Sequence, residues 1–76
     1  MERILEFSGE KVRLLRMERN LTQCEVAQQM AATGKFRGGT RQRVHQIETG
    51  RHASAKTICA LCEVFGVAPD FFFESQ

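Results

Sequence analysis

The sequence predicts an all-α fold, five short helices around one small core. Three observations carry that reading. Apolar residues recur at helical spacing along almost the whole chain, and no run alternates well enough to be a strand. Residues that start and stop helices punctuate the chain at short intervals. A length of 76 residues leaves room for one domain and one core.

Ser8 is placed to cap a first helix in which Val12 and Leu15 share a face, flanked by Leu14 and Met17. Asn20 is a suitable stop, because Asn tolerates positive φ better than most residues. Thr22 and Glu25 then form a T-x-x-E capping box, and the helix they open sets Val26, Ala27 and Met30 on one face. From Ala31 to Gly39 the pattern lapses, and Gly34, Gly38 and Gly39 mark a loop. Thr40 caps a third helix whose only core-type residues are Val44 and Ile47, and Gly50 ends it. Ser54 caps a fourth with Ile58, Leu61, Cys62 and Phe65 in a stripe, stopped by Gly66. Pro69 suits the first turn of a short fifth helix reaching about Phe73. Residues 1–8 form an N-terminal extension, 9–73 the helical domain and 74–76 a C-terminal tail.

The 11 Lys+Arg and 9 Asp+Glu residues are unevenly spread. Residues 1–34 are neutral in sum. Residues 35–51 set Lys35, Arg37, Arg41, Arg43 and Arg51 against Glu48 alone, and residues 52–76 are acidic. A basic segment between a neutral and an acidic one points to one cationic face. That segment contains the third helix, whose outward side offers Arg41, Gln42, Arg43, His45 and Gln46. Arg makes a bidentate contact to guanine and Gln to adenine, and an α-helix fits the major groove of DNA. A plain surface helix would mix both charge signs, whereas here no acid precedes Glu48.

Four stretches together resemble one family: Gly9-Glu-Lys-Val-Arg-Leu-Leu-Arg16, Leu21-Thr-Gln-Cys-Glu-Val-Ala27, Val44-His-Gln-Ile-Glu-Thr-Gly-Arg51, and Thr57-Ile-Cys-Ala-Leu-Cys-Glu-Val-Phe-Gly-Val67. The chain is similar to the phage-repressor and Cro-like helix-turn-helix family, the XRE type of bacteria and phages, from about Gly9 to Phe73. The resemblance implies a repressor-like helix-turn-helix fold and a sequence-specific, double-stranded DNA-binding regulator. It assigns base reading to Arg41, Gln42 and Gln46. It assigns backbone contacts to Gln23, Thr40, Arg43 and Arg51, and a structural ion pair to Arg16 and Glu48. The family's turn between the second and third helices is tight, and here it is extended. Either Phe36 anchors the longer loop in the core or the loop carries Lys35 and Arg37 onto the DNA backbone, and both can hold together.

Phe72 and Phe73 match core positions of that family. Phe71, with Ile4, Leu5 and Phe7, is then left as an exposed apolar patch, unless Leu5 and Phe7 pad the core. A homodimer is expected, because two recognition helices one DNA turn apart read a palindromic operator better than one. The expected outcome is a dimeric repressor. The alternatives are a protein-interaction module of the same fold, an antitoxin or adaptor, and an RNA binder using the Arg37-Gly38-Gly39 triplet.

Other function classes find little support. No apolar run approaches the ~20 residues needed to cross a bilayer, and no secretory signal composition is seen. Three cysteines cannot all pair within the chain, which favours a reducing, cytoplasmic location. Cys59 and Cys62 form C-x-x-C but sit mid-helix as core cysteines, without the further ligands of a zinc site. Cys24 is expected to be an exposed, neutral thiol. No nucleophile–base set appears, so neither an enzyme nor a cofactor is expected.

Overall fold

The computed structural model describes residues 5–34, 40–50 and 52–75. In chain order these form strand β1 (Leu5–Phe7), helices α1 (Gly9–Glu18), α2 (Gln23–Ala32), α3 (Arg41–Thr49) and α4 (Ala55–Phe65), a 3-10 turn (Pro69–Phe72) and strand β2 (Phe73–Ser75). Four α-helices therefore stand where five were expected. Pro69 does open a helical turn, but the chain is extended again at Phe73, with φ −108° and ψ 140°. Only one tight turn of 3-10 geometry fits between.

The two strands were not anticipated. β1 and β2 pair antiparallel, with Phe7 opposite Phe73 and Glu6 opposite Glu74. The Ser8 N–H donates to the Phe72 carbonyl at 2.6 Å, continuing the join. The expected extension and tail thus meet as a ribbon that closes one side of the helical unit. Its energetic reason is aromatic. The Phe7 ring lies 6.1 Å from that of Phe72, and meets Phe73 edge-on at the same separation. Phe7 is buried, so it pads the core and does not extend an exposed patch. Phe71 remains 41% exposed, with the Lys11 ammonium 5.5 Å from its ring centre. Ile4 lies outside the described residues.

Capping follows the sequence in three helices of the four. At α2 the Glu25 N–H donates to Thr22 Oγ1 at 3.1 Å, and the Thr22 N–H to Glu25 Oε1 at 2.9 Å. Thr40 Oγ1 accepts from the Arg43 N–H at α3, and Ser54 Oγ from the Thr57 N–H at α4. Ser8 precedes α1 but makes no side-chain cap bond. Asn20 and Gly66 adopt the left-handed conformation after α1 and α4, with φ of 56° and 67°.

The core gathers Val12 and Leu15 of α1, Val26, Ala27 and Met30 of α2, and Val44 and Ile47 of α3. Ala60, Leu61 and Phe65 of α4 complete it, with Phe7 and Phe72. The buried stripe of α4 is rotated from the expected one. Thr57 and Ala60 are buried, whereas Ile58 and Cys62 are only partly covered and Cys59 is exposed. The reading of Cys59 as a core cysteine is therefore corrected. Among the described residues, no helix is long and apolar enough to cross a membrane.

Candidate nucleic-acid interface

Helix α3 is held from behind by three devices. Val44 and Ile47 bury its apolar edge. The first residue of α1, Gly9, lies directly against the last turn of α3. A Cβ there would collide with the Ile47 carbonyl and stand 2.6 Å from that of Glu48. Only glycine admits that approach, and the Gly9 N–H donates to the Gly50 carbonyl at 3.3 Å.

The third device is polar. Arg16 Nε donates to Glu48 Oε2 at 2.7 Å and Nη2 to Oε1 at 3.3 Å, a two-point contact between guanidinium and carboxylate. Arg16 Nη1 also donates to the Leu21 carbonyl at 2.9 Å, just before α2. Gln23 Nε2 donates to Glu48 Oε1 at 3.1 Å. The Glu48 side chain is 3% exposed and that of Arg16 15%. One buried carboxylate therefore ties α1 and α2 to α3.

This arrangement removes the only acid of α3 from its surface. What faces solvent is Arg41, Gln42, Arg43, His45 and Gln46. Arg41, Gln42 and His45 line one depression with Gln23, beside the start of α2. Arg43 and Gln46 line another with His52 and Ser54, where α4 begins. At the N-terminus of α3, Thr40 Oγ1 accepts the Arg43 N–H, and the positive end of the helix dipole there favours an anion.

The residues singled out in the sequence are thus distributed as follows. Arg41, Gln42 and Gln46 are exposed along one helix, with Thr40 and Arg43 at its start. Gln23 stands beside Arg41, with its amide nitrogen engaged by Glu48. Lys35, Arg37 and Arg51 lie outside the described residues, as does Phe36. The sequence reading missed Gly9 as a contact residue, and His52 and Ser54 as neighbours of Arg43. Gly9 carried no local signal, since its role depends on where α3 ends in space. Among the described residues, no group of three or more His, Cys, Asp or Glu side chains is arranged to hold a metal ion.

Two successive helices, the first capped and the second set out with a polar face, form a helix-turn-helix. Residues 9–70 match the helix-turn-helix domain family. The chain belongs to that family. No curated protein and no solved structure gives a match. The helix-turn-helix is a DNA-binding motif, and α2 and α3 are the two helices that build it here. This helix-turn-helix departs from the usual turn of about three or four residues, because residues 33–40 connect α2 to α3.

Proposed function

We propose that the chain is a sequence-specific, double-stranded DNA-binding transcriptional regulator of the XRE and Cro-like type, acting as a dimeric repressor on a palindromic operator. The observation that carries the reading is the outward face of α3, which presents Arg41, Gln42, Arg43, His45 and Gln46 and no acid because Glu48 is buried against Arg16 and Gln23. Base edges are read by Arg41, Gln42 and Gln46, whose donor patterns match guanine and adenine. Gln23, Thr40, Arg43 and Arg51, with Lys35 and Arg37 of the connecting loop, contact phosphates and set register and affinity. Homodimer formation is supported by apolar side chains left on the surface, with Leu14 54%, Met17 50% and Phe71 41% exposed.

Selection of bound sequences from a random duplex pool tests this, followed by binding of the recovered site and of random DNA. Arg41→Ala and Gln42→Ala each lose ~1–3 kcal/mol on the recovered site and relax base preference. Lys35→Ala weakens all sequences alike and lowers the salt dependence. Failure to enrich any sequence, or equal losses on recovered and random DNA for every substitution, overturns base reading by α3.

A further inference from the structure

Helix α4 carries two thiols that the DNA-binding reading does not use. Cys59 is exposed and Cys62 partly buried, so both can be reached from solvent. At i and i+3 they are neighbours on the helix surface. Ala55, one turn before Cys59, is exposed and small, while the exposed Lys56 and Glu63 flank Cys59 and the partly covered Ile58 borders Cys62.

The spacing decides what the pair can do. Side chains three apart on a helix have Cβ atoms about 5–6 Å apart. A disulfide needs them at roughly 3.5–4.5 Å, so closing one here would distort the helix. A single bridging ion with metal–sulfur bonds of about 2.3 Å adds the missing span. No third or fourth His, Cys, Asp or Glu among the described residues completes a higher-coordinate site. Zinc, which takes four ligands in structural sites, is therefore poorly served. Thiolate sulfur favours soft ions, and Cu(I) is the first-row ion for which two such donors suit best.

We propose that Cys59 and Cys62 form a two-thiolate site for a soft monovalent ion of the Cu(I) class. Each thiol releases its proton to solvent as its sulfur binds, two protons per ion, and no electron moves. The ion clips one turn of α4 to itself and acts within a single chain.

The test is an anaerobic titration of the full chain with Cu(I) against a competing chelator, with the oligomeric state measured alongside. The wild type and Cys24→Ser bind one ion per chain, with no change in oligomeric state. Cys59→Ser and Cys62→Ser each weaken binding by ~100-fold or more, the loss expected when a second donor at high effective concentration is removed. Cys59 is exposed, so its replacement leaves the core intact, and an unchanged circular dichroism spectrum verifies that. Binding that survives Cys59→Ser, that depends on Cys24, or that joins two chains through the ion overturns the proposal. Its failure leaves the DNA-binding reading untouched, because none of these thiols belongs to the base-reading set.

Discussion

Replacing Glu48 with Ala strips three hydrogen bonds from the centre of the domain, two from Arg16 and one from Gln23. The guanidinium keeps its bond to the Leu21 carbonyl but loses its counter-charge. Removing one partner of a buried pair costs about 3–5 kcal/mol, because the other charge stays behind uncompensated. Arg16 is 15% exposed, so water reaches part of its head and the lower end of that range applies, about 3 kcal/mol. For a domain of this size each kcal/mol moves Tm by roughly 4–8 °C, so a fall of about 15 °C is expected by circular dichroism melting. Glu48→Gln keeps an acceptor and should fall between the two. The combined change Arg16→Met with Glu48→Leu should recover most of the loss, since apolar side chains of similar size replace such pairs at little cost. A double-mutant cycle on Arg16 and Glu48 with coupling below about 0.5 kcal/mol would refute the reasoning. So would a Glu48→Ala protein melting within a few degrees of the parent.

Gly9→Ala should cost about 2–3 kcal/mol in urea unfolding, because the added methyl meets the backbone of Ile47 and Glu48 and neither can move as a flexible side chain would. A midpoint unchanged from the parent would show that α1 can lift off α3 freely. Thr22→Ala removes one half of the capping box and should destabilise by ~1 kcal/mol, with Glu25→Ala no worse in combination than the pair's shared contribution. The Cys62 thiol is pushed above its ordinary pKa, first by burial and then by the neighbouring Cys59 and Asp70. A raised value means less thiolate at a given pH. Labelling by a thiol reagent should therefore be slowest at Cys62, and its rate should still climb at a pH where a free thiol has levelled off. Equal labelling of Cys59 and Cys62 at neutral pH would contradict that ordering.

The helices were legible because their signals are local. Thr22 and Glu25 are three residues apart, and Val12 with Leu15, or Val26 with Met30, declare a face within one or two turns. The outward composition of α3 was legible for the same reason, as Arg41 to Gln46 are contiguous. The ribbon was not. Three-residue strands show no alternation, and the pairing of Phe7 with Phe73 joins opposite ends of the chain. The stripe of α4 was misplaced by about one residue because Leu61 and Phe65 fit either register. In the folded chain the register that buries Thr57 and Ala60 is the one adopted.

The sequence by itself determined where helices begin, which residues have apolar character, and that one basic helix lacks an accessible acid before its last turn. Each of these depends on neighbours within about four residues, where backbone geometry leaves little choice. The tertiary structure alone decided that Gly9 touches the end of α3, that the two ends of the chain close on each other, and that Gln23 joins Arg16 on the buried Glu48 carboxylate. These are contacts between segments far apart in the chain, and their energy comes from desolvated surfaces and charges that exist only once the helices have packed.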